Sequence, residues 1–513
     1  MHKIDRFLNN ITMYRLVLYG LAFMAAYAIF FGFFGVLHHS GVSYILLLVI
    51  LTTVCGVTNF ICGKLFNAPI NIESWIITAF ILFFVMYPVV SLADAATAAF
   101  AGAVAIASKF FITINRRHIF NPVAFGALAV GATAIFRGAM PPVEQFFDSG
   151  NVVWWVGTPA MFPLTLVVGL LIIRKIRKFE MFFAFIGGSI LSTLVFTYVV
   201  EQQNFQHFIN MLLQNTLSWP LVFFGAVMLT EPFTMPPHRR VQILFGFGVG
   251  LLFTARYSFG PLYSTPELAL IIGNLFAYGV SMKRRAMLVL KEKHLISKDT
   301  YEFSFASETP LHFHAGQYLE WTLPERTSGH RVDNRGNRRY FTIASSPTEK
   351  EVKLGVKFYE PSSTFKSHLR ELETGKIVAA GQLGGDFVLP KDASKKLVFI
   401  AGGIGVTPFR SMIKYLSDKK EKRDITLIYS VRTEDEIAYR DIFDEAEKEI
   451  GLKVVYLVGS FLNEEVISKD IPDWKERTFY MSGPNVMVEN YKKLLLKMGL
   501  SRFSIRTDYF PGF

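Results

Sequence analysis

The segment Gly402-Gly403-Ile404-Gly405-Val406-Thr407-Pro408 follows an apolar strand, LVFIA, and opens a helix. Such a turn lets main chain approach a pyrophosphate closely, and the helix N-terminus stabilises its charge. Glycines also serve turns that hold nothing, so this turn alone is weak evidence. A second set lies far upstream, where Arg116, Arg117 and His118 precede a helix start at Asn121-Pro122, and Thr230-Glu231-Pro232 ends one helix before His238-Arg239-Arg240 begins another. Unpaired N–H groups beside arginines suit a phosphate or another anion. Proline at a helix start and arginines as membrane anchors account for the same residues without a ligand. Asp94 reads as a helix N-cap behind Ser91-Leu92-Ala93, while Glu231 and Glu267, each beside a proline at a helix end, are caps or else ion or proton ligands. No metal site is expected. Two cysteines, Cys55 and Cys62, cannot supply the four thiolates of an iron–sulfur cluster and read as packing residues of one helix.

The elements that must position these residues fall into two phases. With 51% hydrophobic residues and 50 phenylalanines the chain is too apolar for an ordinary soluble protein, yet its last 230 or so residues read as normal α/β sequence. Because a membrane helix needs about 20 apolar residues, ten helices are expected near 14–37, 43–62, 75–91, 94–113, 122–137, 160–173, 181–200, 210–229, 240–256 and 264–282. An even number places both termini on one side. Sixteen Lys and Arg up to residue 285, ending in Lys283-Arg284-Arg285, fall on that side, and only Arg137 and Arg256 fall opposite. The positive-inside rule makes the shared side cytoplasmic, in a multi-pass protein of the cell membrane, with its N-terminal run retained because no small-residue cleavage site follows it. Much of the net charge of +12 is then topological, and nothing calls for nucleic acid.

After residue 285 the pattern changes. Strands AMLVLKEKHLI, TYEFSFAS, YLEWTLP and VKLGVKFY predict a small antiparallel β-barrel over 286–390. From 391 to 513 the order is apolar strand, Gly-rich turn, helix, repeated through DITLIYSVR, LKVVYLVG and RTFYMSGP. That predicts an α/β doubly wound sheet with ligands at the carboxyl ends of its strands. The fold class expected is thus a polytopic α-helical membrane domain over 1–285, followed by the barrel and the doubly wound domain.

Arg339-Tyr340-Phe341-Thr342, the Ser363-Thr364-Phe365-Lys366-Ser367 segment, the Gly-rich turn and Met481-Ser482-Gly483-Pro484 occur in that order. Together they resemble the ferredoxin-NADP reductase-like flavoproteins over residues 286–513. The resemblance implies FAD in the barrel and NADH or NADPH as electron donor. It places Phe341, beside Tyr340, against the isoalloxazine, Thr342 near its N5, and Arg339 on the pyrophosphate, an anion that a planar guanidinium suits. Ser363, Thr364, Lys366 and Ser367 form its second flavin-phosphate segment. Gly402, Gly403, Gly405, Thr407 and Pro408 would hold the dinucleotide, and Gly483 and Pro484 would flank the nicotinamide, with Ser482 standing where the family has Cys. Asp508 falls where the family often has an acid, and Phe513 is a candidate ring cover. The catalytic set is then Thr342, Ser482 and Asp508. Ser430, Arg432 and Tyr439 could hold a 2'-phosphate, whereas Glu434 and Asp435 would repel one if they faced it, and Arg432 also reads as a solvated loop charge.

FNPVAFG (Phe120 to Gly126), LTEPFTMPPHRRVQILFGFGVGLLF (Leu229 to Phe253) and TPELALIIGN (Thr265 to Asn274) resemble the NqrB/RnfD family, the ten-helix membrane flavoproteins of the sodium-pumping NADH:quinone reductase and the Rnf electron-transport complex. That resemblance implies a membrane domain holding FMN or riboflavin. Family members attach FMN to a threonine in a Ser-Gly-Ala-Thr type motif near the outer face. Here Gly131-Ala132-Thr133 lies inside a predicted helix and Gly157-Thr158-Pro159 in an outer loop, so a noncovalent flavin is expected, with Thr133 and Thr158 as the attachment candidates and Arg116, Arg117, Asn121 and Thr230 as further contacts.

Together these readings predict hydride transfer from cytosolic NAD(P)H to FAD, then single electrons into a flavin-containing membrane domain and on to a quinone or an extracytoplasmic flavoprotein. Analogy with the membrane half favours NADH. A haem-type transmembrane reductase would need paired membrane histidines, and His38, His39, His118, His207 and His238 all fall near predicted helix ends. A third alternative is a transporter whose reductase module senses redox state.

Overall fold

The computed structural model of the chain describes residues 8, 11–66, 72–114, 117–133, 151–259, 262–281, 286–308, 310–324, 338–360 and 362–508. Two compact units divide at the end of the apolar half, Met1–Arg284 and Arg285–Gly512.

In the first unit the apolar runs form α1 (Met13–Phe33), α2 (Gly41–Leu65), α3 (Ile72–Val85), α4 (Leu92–Phe111), α5 (Pro122–Ala132), α6 (Phe162–Ile176), α7 (Phe179–Val195), α8 (Phe205–Leu217), α9 (Leu221–Met228), α10 (Arg239–Thr254) and α11 (Pro266–Val280). Side-chain oxygens of Thr12, Ser40, Asn121 and Thr265 cap α1, α2, α5 and α11, satisfying N–H groups that a helix start leaves orphaned. Ser91 caps α4, and Asp94 answers from the third helical position in a capping box rather than being the cap itself. Both cysteines are buried on α2.

The expected ten spans reduce, on length and composition, to four among the described residues: α1, α2, α4 and α7 with its π-helical continuation to Val200. A fifth is counted only if α8 and α9 are one span, and these meet at 58°. The break falls at Ser218-Trp219-Pro220, inside the expected helix 210–229, where proline supplies no N–H and its ring clashes with the preceding turn. The apolar helices α3, α5 and α11 have 14, 11 and 15 residues, short of the roughly 20 that a straight span requires. Phe23, Phe30, Leu46, Val49, Phe183 and Leu191 point outward from α1, α2 and α7, a larger apolar exterior than water-soluble helices carry.

Backbone-to-backbone contact joins α7 to α10. A Cβ on Gly250 would lie 2.1 Å from the Phe185 carbonyl oxygen, one on Gly246 would lie 2.4 Å from that of Met181, and one on Gly188 would lie 2.2 Å from that of Phe247. Small residues four apart let helices approach this closely where no hydrophobic effect drives them together. Ser189 Oγ then reaches the Gly250 carbonyl at 3.2 Å, and Thr254 Oγ1 the Ser189 carbonyl at 3.0 Å.

The second unit holds two sheets. β1 (Ala286–Ser297), β2 (Thr300–Ser307), β3 (Tyr318–Thr322), β4 (Arg338–Thr342), β5 (Val352–Lys357) and β6 (Ile377–Gly384) pair antiparallel in the order β4-β3-β6-β1-β2-β5, with helix α12 (Thr364–Glu371) between β5 and β6. Among the described residues β4 and β5 are both edges, so the expected barrel is an open half-barrel rather than a closed ring. Leu288, Leu290, Phe303, Phe305, Trp321 and Leu354 are buried in this half, following the strand period of two.

The other sheet is parallel throughout: β7 (Leu397–Gly402), β8 (Ile425–Val431), β9 (Lys453–Val458), β10 (Thr478–Ser482) and β11 (Ile505–Thr507) in the order β9-β8-β7-β10-β11. Helices α13 (Thr407–Lys419), α14 (Arg440–Ile450), α15 (Glu464–Asp470) and α16 (Asn485–Lys497) connect them. Every residue of β7 is buried, as expected for a central strand covered on both faces. The strand order reverses between β7 and β10, the place where open α/β sheets bind ligands.

Candidate functional site

At that switch point two glycine turns touch. Gly403 takes a left-handed φ of +51° as the chain leaves β7, passes through one 3-10 turn and enters α13 with Pro408 in its first turn. A Cβ on Gly405 would lie 2.5 Å from Gly483 Cα and from the Ser482 carbonyl, and one on Gly402 would collide with Met487 at 2.4 Å. Gly403 has open space around it, with nothing within 4 Å of a Cβ. The turn is therefore packed on one side by the Ser482-Gly483-Pro484 segment and bare on the other, a cradle suited to a dinucleotide pyrophosphate. Thr407 is buried and donates to the Ile404 carbonyl at 3.3 Å, so it shapes the turn.

Ser482 and Asp508, which lie 26 residues apart in sequence, are brought together. Ser482 Oγ donates to Asp508 Oδ2 at 3.2 Å, and the Asp508 amide donates to the Met481 carbonyl at 2.9 Å, extending the parallel pairing of β10 and β11. Tyr318, on β3, senses this carboxylate: burial, and then the negative charges of Asp508 and Asp386, push its phenol up to about 12. The half-barrel and the parallel sheet thus meet near the pair.

On the flavin side, β4 aligns Thr342 with Tyr318 and Phe341 with Leu319. Thr342 is buried at the end of the strand. Arg339 sits over the Phe365 ring at 5.5 Å, and Phe341 lies 5.7 Å from the same ring. Phe365 belongs to α12, whose N-cap Ser363 accepts from the Lys366 amide, so the arginine of the first segment reaches the helix start of the second. Thr364 and Ser367 lie in the first turn of that helix. Lys366 is already engaged by the Lys357 carbonyl at 2.7 Å and the Tyr359 ring at 4.0 Å. Tyr340 donates to Gln382, whose main chain is left-handed (φ +47°) in a β6 bulge and whose Nε2 is buried with no partner among the described residues. A flavin ring, rich in acceptors, fits beside such a donor. Gln382 and Tyr318 escape a reading of the sequence because neither belongs to a contiguous motif.

Two expectations change here. Tyr439 is not placed for a 2'-phosphate: it is buried, with its hydroxyl against Gly355 of the half-barrel, because φ +62° turns it inward at the start of α14. Glu434 and Asp435 do not simply repel a phosphate, since they pair with Arg440 at 2.9 Å and Lys298 at 3.4 Å. Arg432 follows β8, and Ser430 donates to the Ser460 carbonyl at 3.4 Å. Phe513 lies outside the described residues.

The membrane-flavin candidates do not form one site. Asn121 caps α5, its amide donates to Asn274 Oδ1 at 2.7 Å, and its side chain reaches the Met228 carbonyl at 3.5 Å, one residue from Leu229 and two from buried Thr230. Asn274 also donates to the Thr234 carbonyl at 3.3 Å, and His118 lies 3.4 Å from Glu231. Thr230 itself spends its hydroxyl on the Ala226 carbonyl at 2.7 Å. Thr133 is at the other end of α5, bonded to the Val130 carbonyl at 2.6 Å. Thr158 lines a small, half-open crevice with Gly157, Phe162, Trp219 and Pro220. Glu267 is buried and accepts from Trp154 Nε1 at 3.1 Å. Arg116 lies outside the described residues, as do Arg137 and Lys283 to Arg285, and Arg117 is placed only as main chain paired with Ile114. Among the described residues no group of three or more His, Cys, Asp or Glu could hold a metal.

Comparison with known proteins bears on the second unit. Residues 287–385 match the oxidoreductase FAD-binding domain, and residues 399–493 the oxidoreductase NAD-binding domain. A flavohemoprotein of Candida albicans is 26% identical over 214 residues, 38% of this chain and 50% of that protein. Flavohemoprotein B of Dictyostelium discoideum is 26% identical over 256 residues, 42% of this chain and 60% of that protein. A component of the Na(+)-translocating NADH-quinone reductase of Shewanella putrefaciens is 29% identical over 201 residues, 35% of this chain and 63% of that protein. The chain thus spans between half and two thirds of these curated relatives, and carries an FAD-binding and an NAD-binding domain of the oxidoreductase type.

Proposed function

We propose that the chain is a membrane-bound NAD(P)H dehydrogenase, with a membrane electron-transfer domain over 1–285, an FAD domain over 286–390 and a nicotinamide domain over 391–513. The observation that carries this reading is the contact of Gly405 with Gly483, which sets the dinucleotide cradle beside the Ser482–Asp508 hydrogen bond of 3.2 Å. FAD, when bound, accepts hydride and can release electrons singly. The chain's own residues do the positioning: Arg339 and the start of α12 hold phosphate charge, Tyr340 and Gln382 orient the ring, Thr342 offers a hydroxyl beside it, and Ser482 with Asp508 holds the nicotinamide amide and excludes alternative poses. NADH is the preferred donor. Tyr439, one of the three residues that could hold a 2'-phosphate, is buried against Gly355, and the relative from Shewanella putrefaciens is called an NADH-quinone reductase.

The helices α1, α2, α4 and α7 would anchor the chain in the cell membrane with both termini cytoplasmic. A noncovalent FMN or riboflavin is assigned to the end of α5 where Asn121 and Asn274 meet the segment 228–234, ahead of Thr133 and Thr158. Electrons would leave to a quinone or an extracytoplasmic flavoprotein. A flavin count on the purified full chain tests this. More than one flavin per polypeptide, no Soret band, and NADH oxidation by inverted vesicles are expected. A count of one, confined to the second unit, would sink the membrane relay.

A further inference from the structure

Side chains alternate across a strand, so β2 and β5 turn Phe303, Phe305, Leu354 and Val356 into the half-barrel and Glu302, Ser304, Lys353 and Gly355 the other way. That outer face is not in water: Glu302 is 6% and Ser304 0% exposed. The nicotinamide domain covers it. Tyr439 inserts its ring there, and a Cβ on Gly355 would stand 2.7 Å from the Tyr439 hydroxyl and 2.9 Å from the Thr407 methyl. Gly355 is the hole for this peg. Lys353 reaches Glu302 at 3.1 Å and Glu349 at 3.8 Å, and Lys357 reaches Glu436 at 2.8 Å.

A second grip lies two residues beyond Thr342. Arg410, on the helix that opens from the glycine cradle, is 3% exposed. It donates to the Ala344 carbonyl at 3.2 Å and makes a two-pronged ion pair with Glu349, one prong at 3.0 Å. Ser411 donates to the Ser345 carbonyl at 2.6 Å. Burial opposes the guanidinium charge, but the Glu349 carboxylate outweighs it and holds Arg410 above its ordinary value. The flavin strand and the nucleotide helix are therefore tied within a few residues of their proposed reacting ends. A buried charge pair of this kind adds little net stability, yet removing one partner strands the other and is costly.

We infer that Arg410, Glu349, Tyr439 and Gly355 form a lock that fixes the nicotinamide domain against the half-barrel and so sets the distance over which hydride passes. They are positioning residues, and the inference rests on the NAD(P)H-to-FAD reading above. Misplacement by about 1 Å can cost a hundredfold in rate, so breaking the lock should appear in the transfer step rather than in binding. Glu349→Gln and the wedge Gly355→Ala, each in the full chain, are expected to slow flavin reduction by NADH at least fivefold in stopped flow. FAD content and the NADH dissociation constant should stay within twofold. Adding Tyr439→Phe to Gly355→Ala removes the nearer of the two atoms that the new methyl strikes, leaving the Thr407 methyl at 2.9 Å, and is expected to restore part of the rate. Loss of packing alone would not be rescued by deleting a further group. Both single variants transferring hydride at the wild-type rate, or a double variant no faster than the wedge, would overturn the lock. A wild-type chain that holds FAD but is reduced by neither nicotinamide would overturn the underlying reading as well.

Discussion

Ser482 and Asp508 are the residues on which the proposed hydride transfer bears most directly. A hydroxyl donating to a carboxylate at 3.2 Å is held by β10 and β11 on one side and faces the cradle on the other. Hydrogen bonds to charged groups contribute about 1.5–3 kcal/mol, so Asp508→Asn is expected to slow flavin reduction by NADH roughly tenfold with FAD content unchanged. Stopped-flow flavin bleaching measures it, and a rate within twofold of wild type would remove Asp508 from the site. Both residues are legible one by one in the sequence, through what the family resemblance implies, while their pairing needs β11 beside β10. Gln382 is not, since its role comes from a bulge and a left-handed main chain that no residue type announces. Tyr439 misleads for a related reason: it follows the acidic turn Glu434-Asp435-Glu436 at the end of a nucleotide-side strand, and its burial goes with a left-handed main chain, φ +62°, that its residue type does not announce.

Helices tell a different story from motifs. The apolar runs are visible and each acquires helix, but their ends are decided by caps and prolines, and hydropathy is blind to both. Pro220 divides one expected span into α8 and α9 at 58°, and Pro122 and Pro266 start helices of 11 and 15 residues among the described residues. The glycines of VQILFGFGVG mark a resemblance in the sequence, whereas their physical use is the α7–α10 crossing. Gly250→Ala would place a methyl 2.1 Å from the Phe185 carbonyl, while Gly248→Ala meets nothing within 4 Å. Overpacking of this kind costs about 1–3 kcal/mol, and more where backbone cannot yield. The detergent-solubilised chain carrying Gly250→Ala is therefore expected to melt several degrees lower, and the Gly248→Ala chain to match wild type. Equal melting of the two would mean that α7 and α10 do not cross at these glycines.

At the scale of the whole chain, the division at Arg284 separates two kinds of folding as well as two kinds of surface. The second unit has its own cores on both sides of a parallel sheet and its own half-barrel, and the peg and ion pair that join its two sheets lie within it. The first unit keeps apolar side chains on its outside and draws its close packing from small residues. On the proposed reading, hydride chemistry needs only the second. Residues 286–513 expressed alone are therefore expected to be soluble, to bind one FAD and to reduce ferricyanide with NADH at a rate within about threefold of the full chain, since binding groups and reacting groups all lie there. Quinone reduction should behave oppositely. If electrons must enter the helices to reach a quinone, the isolated half will lose that activity while keeping ferricyanide reduction, and adding membranes without the chain will not restore it. An isolated half that reduces quinone as fast as the full chain would leave the first unit as an anchor, and the polar cluster of Asn121, Asn274 and Glu231 would then need another explanation.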